Sequence, residues 1–474
     1  MNQLQPLTIE HAYMTFLFPF AYQEKKKAEL IQLLTHKGFT FFNIHNTELE
    51  NHFYGDHIQI SHEELDQFFY PFVEAKLFPE TSSDEGFLRF SQPLELQGTF
   101  QVREEAFPFT LLSIDITLCP FEIGVVTLRV AMQEEARDLS DVLDFIHFFR
   151  VMHAKLEEEK GSTLTVGDYT FYSTEELILS YLLPYIKPYL QKNSKMEGYY
   201  GSLPYFEDER MLSSAFIVCE EGAPIEDEHL FRIGQIDSKK PTGEPFISST
   251  NELYINNYVT EHVHDRWAPN IYTMTSAQAQ MTISNLPFSN AQGGLKDFMS
   301  TRYYNILIHY FYKIMLLKLT FEHSEIRWGK DKVVVETLIQ KISKFSSRYY
   351  FGEIAVRTEG RELSQFLQKA FRIPPLYKEI KATLNELYRV QEDLAKGKHS
   401  QLLFVLTVYT VISGIYGMNL VIMDWKGEVD WSLVANYSIF EWITLITALS
   451  GIAIAFILIL SVSIRSIMNY FRRK

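Results

Sequence analysis

The chain has 474 residues, 46% of them hydrophobic, and a formal net charge of −15 at pH 7. This length supplies a sizeable core and room for two or three domains. The acidic balance argues against nucleic acid as a partner and against docking on anionic lipid by charge alone. Cys119 and Cys219, the two cysteines, lie far apart and outside any zinc-site spacing, which predicts reduced thiols in a cytosolic compartment. The N-terminal segment has no basic stretch followed by an apolar one, so no secretory signal is predicted.

The first 373 residues are typical of a mixed α/β cytosolic domain, with one or two subdomains. Runs rich in β-branched and aromatic residues predict strands, longer apolar patterns predict helices, and stretches rich in Ser, Gly, Pro and Asn predict loops. The predicted strands are 12–20, 110–118, 124–132 and 213–220, the helices are 134–152, 173–190 and 301–321, and the loops are 237–251 and 284–294.

One histidine motif in this domain is a candidate metal site. In "EHVHDRW" (261–267), His262 and His264 would face the same way on a strand, with Asp265 beside them. A metal enzyme needs further ligands and a base, and the motif alone supplies neither. No Ser/His/Asp arrangement or phosphate-binding glycine loop is present, so the sequence predicts no enzyme.

A long helix follows the α/β domain. Pro374 and Pro375 interrupt the helical pattern, and no further proline occurs before the end of the next apolar run. Leucine and isoleucine then recur at spacings of three and four residues, which indicates a packed stalk helix over 374–399. A helix continuing from Leu376 to Tyr416 would be roughly 60 Å long at 1.5 Å per residue.

Two uncharged apolar runs near the C-terminus predict a transmembrane hairpin. The runs 400–423 and 442–464 are each long enough to cross a bilayer core of about 30 Å. The loop between them, 424–441, is acidic, and the tail 465–474 is basic. The positive-inside rule then predicts a multi-pass protein of the cell (inner or plasma) membrane, with the lipid bilayer as a partner and both termini in the cytoplasm.

Small and hydroxylated residues share one face of the first predicted transmembrane helix. Ser400, Leu403, Thr407, Thr410 and Gly414 recur at helical spacing. Such a face occurs where transmembrane helices pack closely. It would also suit a pore wall, where small side chains leave room and hydroxyls replace part of an ion's water contacts.

The end of this helix carries a short motif. Residues Tyr416, Gly417, Met418 and Asn419 read "YGMN". Glycine can end a helix there, and the side-chain carbonyl of Asn419 could join a ring of neutral oxygens at the mouth of a pore. With a long helix and an α/β domain before it and a hairpin around it, this motif resembles the CorA family of two-transmembrane magnesium transporters, which have a Gly-Met-Asn signature.

The resemblance implies a fold, an assembly and a function. The fold is an α/β cytosolic domain, a long stalk helix and a two-helix transmembrane hairpin, and the assembly is a homopentamer. The function is transport of divalent cations, most of all Mg²⁺, through a pore lined by the face from Ser400 to Gly414. Five Asn419 side chains would hold the hydrated ion, and Mg²⁺ bound between cytosolic domains would close the pore. No other cofactor is implied.

Carboxylates in the predicted outer loop have two interpretations. Asp424, Glu428 and Asp430 lie shortly after the signature and could concentrate cations from solution. They could equally be ordinary solvated loop residues, because Asp and Glu are mostly exposed.

Two departures from the family pattern leave alternatives open. The Met-Pro-Glu-Leu motif common in the family's outer loop is missing, and Val408 stands near the place of the proline usual in the first membrane helix. Zn²⁺, Co²⁺ and Ni²⁺ therefore stay open as alternative ions. The competing hypothesis is a membrane-anchored cytosolic sensor or metal-dependent enzyme whose hairpin only tethers it.

Overall fold

The computed structural model describes most of the chain and divides it into two units. The described residues are 5–55, 58–132, 136–154, 157–191, 210–326, 332–419, 431–447, 449–451, 453 and 456–457. Unit 1 is Met1–Leu384, and unit 2 is Asn385–Lys474.

Unit 1 is built on a large mixed sheet to which twelve strands contribute among the described residues. The strand order is β10-β11-β12-β9-β1-β5-β4-β3-β7-β8, with β2 on β3 and β6 on β1. Neighbours pair antiparallel except β9 and β12, which are parallel. The strands are β1 Thr8–Ala21, β2 Thr40–Phe41, β3 Leu88–Val102, β4 Glu105–Cys119, β5 Ile123–Met132, β6 Arg137–Asp138, β7 Thr163–Val166, β8 Tyr169–Phe171, β9 Leu212–Cys219, β10 Val263–Trp267, β11 Ile271–Thr275 and β12 Ala279–Ser284.

Helices lie between the strands and follow the last one. The α-helices are α1 Lys27–His36, α2 His62–Phe68, α3 Pro71–Leu77, α4 Leu139–Phe149, α5 Thr174–Glu176, α6 Asp227–Gln235, α7 Glu252–His262, α8 Phe288–Asp297, α9 Tyr303–Ser324, α10 Lys332–Arg348, α11 Thr358–Ala370 and α12 Ile373–Asn419. The π-helical segments are Leu177–Leu182 and Phe298–Arg302. The 3₁₀ turns are Glu24–Lys26, Thr47–Asn51, Glu157–Glu159, Pro184–Tyr189 and Trp431–Asn436.

The two faces of the sheet differ in chemistry. Side chains alternate between faces along a strand, so one face of β1, β4 and β5 carries residues such as Phe16, Ile116 and Leu128. These residues belong to an apolar core that also contains residues of α1, α4, α6 and α7. The alternate positions of β4 and β5 include Asp115 and Arg129, which are also buried. Buried polar groups need hydrogen-bond or ion-pair partners within the protein, so the side chains of this face must contact one another.

Unit 2 contains most of α12, a 47-residue helix that begins in unit 1. The 3₁₀ turn Trp431–Asn436 and a helical segment over 439–447 follow it among the described residues. The hydroxyl of Tyr409 on α12 donates to Oγ of Ser450, within the described helical residues 449–451, at 2.9 Å.

The predicted transmembrane hairpin is wrong. Over the ranges that the structure describes, every helix is either too short or insufficiently apolar to cross a membrane. Of the second predicted span, 442–464, residues 448, 452, 454–455 and 458–464 lie outside the described residues. In α12, hydroxyl and amide side chains such as Gln401, Thr407 and Ser413 recur along the predicted span 400–423. The run is therefore less apolar than its lack of charged residues suggested.

Three predictions are corrected with it. The fold class of an α/β domain followed by a stalk and a CorA-like transmembrane hairpin gives way to the 12-stranded mixed sheet with its flanking helices. The description as a membrane protein with transmembrane helices 400–423 and 442–464 is wrong, and so is the placement as a multi-pass membrane protein with both termini in the cytoplasm. All three predictions assumed that an uncharged run of sufficient length is a transmembrane helix.

Candidate functional site

The predicted pore-lining residues lie on the exposed surface of α12 within the single chain. Ser400, Leu403, Thr407 and Thr410 are exposed. The Thr407 hydroxyl donates to the carbonyl of Leu403, and that of Thr410 to the carbonyl of Leu406, each at 2.8 Å. A Cβ added at Gly414 would meet no described atom within 4 Å. The structure therefore keeps this face together on one helix.

The signature and the acidic loop are only partly within the described residues. The backbone of Tyr416, Gly417, Met418 and Asn419 forms the last turn of α12. The predicted cation-attracting residues Asp424, Glu428 and Asp430 lie outside the described residues. α12 is described as far as Asn419, and the ring of Asn419 carbonyls stays a prediction.

The histidine motif is split between two elements. His262 ends α7, where its Nδ1 lies 2.8 Å from the carbonyl oxygen of Tyr258. His264 lies on β10, and its Nε2 is 2.9 Å from Oε2 of Glu362. Oε1 of the same carboxylate accepts from Nη1 of Arg266 at 2.9 Å. In the part of the chain that the structure describes, no three His, Cys, Asp or Glu residues are grouped to hold a metal ion. The predicted strand on which both histidines face one way is therefore wrong.

A buried charge cluster on the polar face of the sheet was not predicted. It consists of Arg89 on β3, Asp115 on β4 and Arg129 on β5. One carboxylate oxygen of Asp115 lies 3.1 Å from Nε of Arg89 and 2.5 Å from Nη1 of Arg129. The exposed fractions of the three side chains are 1%, 0% and 0%. Two guanidinium groups thus share one carboxylate with no access to water.

Strand register places these three residues together. Ser91 on β3 and Thr127 on β5 are the direct partners of Asp115, and Arg129 pairs with Ser113. Directly paired residues share a face of the sheet, so the charged groups meet across neighbouring strands. The Ser113 hydroxyl accepts from Nη1 of Arg129 at 3.3 Å and donates to the carbonyl of Phe53 at 2.7 Å.

Tyrosines of α9 close the cluster from the helical side. Nη1 of Arg89 donates to the hydroxyl of Tyr304 at 2.8 Å. The guanidinium carbon of Arg129 lies 4.7 Å from the ring centroid of Tyr303 and 5.3 Å from that of Tyr54. Cations lying over aromatic rings are attracted by the ring quadrupole, most strongly where water is absent. The π-helical segment Phe298–Arg302 directly precedes these two tyrosines of α9, and such segments are common at functional sites.

Burial and charge act in opposite directions on the pKa values of the cluster. Burial by itself raises the pKa of Asp115, but the guanidiniums of Arg129 and Arg89 outweigh it, and the net pKa lies below the usual range. Burial also raises the pKa of Tyr304 far above that of a free tyrosine. Asp115 is therefore an anion and the tyrosine a neutral hydrogen-bonding partner at neutral pH.

A second feature of unit 1 is a cleft of about 330 Å³ beside the β4–β5 turn. Its walls include Glu24 and Lys27 before and within α1, Glu122 in the turn, and Lys341 on α10. Glu122 accepts from Lys318 at 2.8 Å, and this ammonium group and that of Lys341 keep its pKa low despite burial, which acts in the opposite direction. Carboxylates and ammonium groups line the cleft in equal number, so it favours neither cations nor anions by net charge.

Comparison with known protein families, curated proteins and solved structures finds no match for this chain. The resemblance to the CorA family thus stays a prediction from the signature and the order of elements.

The buried cluster had a signal in the sequence. The strand run "TLLSIDITL" (110–118) alternates apolar residues with Ser113, Asp115 and Thr117, and "GVVTLRVAM" (124–132) carries Arg129 among apolar neighbours. Such alternation commonly marks a strand with one solvated face. Only the helix that covers this face turns it into a buried site.

Proposed function

We propose that this chain acts in the transport of divalent cations, Mg²⁺ foremost, in the manner of the CorA family that it resembles. The observation that carries the proposal is the "YGMN" signature (416–419) on the long helix α12, after an α/β unit. The proposal leaves out a membrane-spanning hairpin, because no described helix supplies one.

The chemistry of the signature suits a hydrated ion. Mg²⁺ keeps its waters tightly and prefers octahedral oxygen coordination, so neutral carbonyl groups that bond to those waters discriminate without stripping them. Fixed negative charge at the same place would retain the ion and slow its release. In this proposal copies of Asn419 from a homopentamer supply the carbonyl ring, and the chain is a transporter rather than an enzyme.

The test is cation uptake by cells that depend on the protein. A bacterial strain lacking its own magnesium uptake systems is given the full chain, and growth on limiting Mg²⁺ is recorded with the cell content of Mg²⁺, Zn²⁺, Co²⁺ and Ni²⁺. We expect the full chain to restore growth and Mg²⁺ content, and Asn419→Ala to abolish both. Asn436→Ala, which changes an exposed asparagine of the 3₁₀ turn after α12, is the matched control and should behave as the original chain.

A second variant tests the face from Ser400 to Gly414. Since a side chain at Gly414 meets no described atom within 4 Å, Gly414→Leu should fold normally. If the face lines a conduction path, this variant assembles but loses uptake. If Gly414 instead packs copies together, the oligomer dissociates in size-exclusion chromatography. Gly451→Leu is the control, because that glycine also has open space around it. Failure of the full chain to raise the content of any of the four cations would overturn the proposal.

A further inference from the structure

The buried cluster carries an excess positive charge. Arg89 and Arg129 each bear one charge, and Asp115 balances only one of them. Burial lowers the pKa of nearby His62, so this side chain is neutral at pH 7, and burial raises the pKa of Tyr303 and Tyr304, which are neutral as well. Among the described residues we find no second carboxylate in contact with either guanidinium. An unbalanced charge with no access to water is costly, so a further anion would stabilise this arrangement.

The guanidinium of Arg129 has an unused edge. Its Nη1 meets Asp115 and Ser113, whereas its Nε and Nη2 are buried and have no hydrogen-bond partner within the described residues. Nε and Nη2 lie on one side of the planar group and direct two N–H bonds almost in parallel, the arrangement with which arginine recognises anions. The rings of Tyr303 and Tyr54 lie within 5.3 Å of the guanidinium carbon, so an anion would approach in the plane of the group.

We propose that the Nε–Nη2 edge of Arg129 binds one small monovalent anion of halide size, enclosed between the polar face of the sheet and α9. A single negative charge balances the cluster, and one acceptor atom on this edge receives both N–H groups. A divalent anion would overbalance the charge, and a large one would have to displace the packed tyrosines. In the cell the most abundant anion of this class is chloride. This inference is independent of the proposed cation transport.

The test uses bromide as the probe, since it resembles chloride in size and is identified by anomalous scattering. Thermal unfolding of the full chain is followed in sodium bromide and in sodium gluconate at equal ionic strength. A ligand that binds only the folded state raises the unfolding temperature as its concentration rises above its dissociation constant. We expect the unfolding temperature to rise with bromide concentration and to stay flat in gluconate, which is too large for the site.

Variants and diffraction locate the effect. Arg129→Lys keeps the charge but loses the two parallel donors, and Arg129→Gln removes the excess charge, so both should lose the difference between bromide and gluconate. Arg266→Gln, at an exposed position, should retain it. If both Arg129 variants fail to fold, anomalous diffraction from bromide-soaked crystals of the unmodified chain decides. A peak within hydrogen-bonding distance of Nε and Nη2 supports the site. An empty edge, or equal bromide dependence in Arg129→Gln, would overturn the inference.

Discussion

Replacing Asp115 by asparagine should destabilise the protein strongly. The substitution removes the one carboxylate that contacts both Arg89 and Arg129, at 3.1 Å and 2.5 Å, and leaves two buried guanidiniums with an amide. Breaking a single buried ion pair by removing one partner costs about 3–5 kcal/mol. Because Asp115 serves two cations, we expect the upper end of that range, about 5 kcal/mol. The total stability of a natural protein is only about 5–15 kcal/mol, so the variant should be close to unfolding.

The assay is urea denaturation at pH 7, followed by circular dichroism, with a second buried aspartate as the control. Asp144 on α4 is nearly as buried, but burial dominates its surroundings and raises its pKa despite Arg103 at 3.7 Å. Asp144→Asn therefore removes a charge that the fold disfavours, and we expect it to change the free energy of unfolding by less than about 1 kcal/mol. The reasoning about the cluster fails if Asp115→Asn is no less stable than Asp144→Asn.

Three further predictions concern pH and packing. The folded pKa of Asp115 lies below its unfolded value, so its stabilising contribution is complete above about pH 4. We expect this contribution to be lost as the pH falls through the folded pKa. The measurement is the free energy of unfolding as a function of pH in the acid range. Burial lowers the pKa of His309 from 6.5 to about 4. Between these pH values the histidine gains a proton in the unfolded chain but not in the folded one, so the folded state should lose stability as the pH falls. The loss should be about 3 kcal/mol at most and absent in His309→Asn, whereas an unchanged acid slope in that variant would exclude His309 as its source. A Cβ at Gly124 would lie 2.2 Å from the buried ring of Phe20, so Gly124→Ala should lower the unfolding temperature by an overpacking cost of about 1–3 kcal/mol. Gly293→Ala in α8, where a Cβ meets no described atom within 4 Å, should be neutral or stabilising, and equal effects of the two substitutions would contradict the packing argument.

Local patterns located many elements but not all of them. The predicted strands 12–20, 110–118, 124–132 and 213–220 lie in or closely match β1, β4, β5 and β9. The predicted loop 284–294 is wrong over most of its length, because α8 begins at Phe288. Gly294 there approaches Phe216 of β9 so closely that a Cβ would lie 2.9 Å from its ring. Packing against the sheet thus stabilises a helix whose glycines and asparagine have low intrinsic helix propensity.

The sequence by itself determined the alternation of polar and apolar residues along β4 and β5 and the start of the long helix near Pro374. Tertiary structure decided what the alternation means. Register aligns Asp115 with Ser91 and Thr127, and α9, nearly two hundred residues later, covers this polar face with tyrosines. Strand pairing and helix coverage are long-range contacts, and the same local pattern would serve a solvated face equally well. For that reason the residues of the buried cluster were visible in the sequence, but their burial and their shared carboxylate were not.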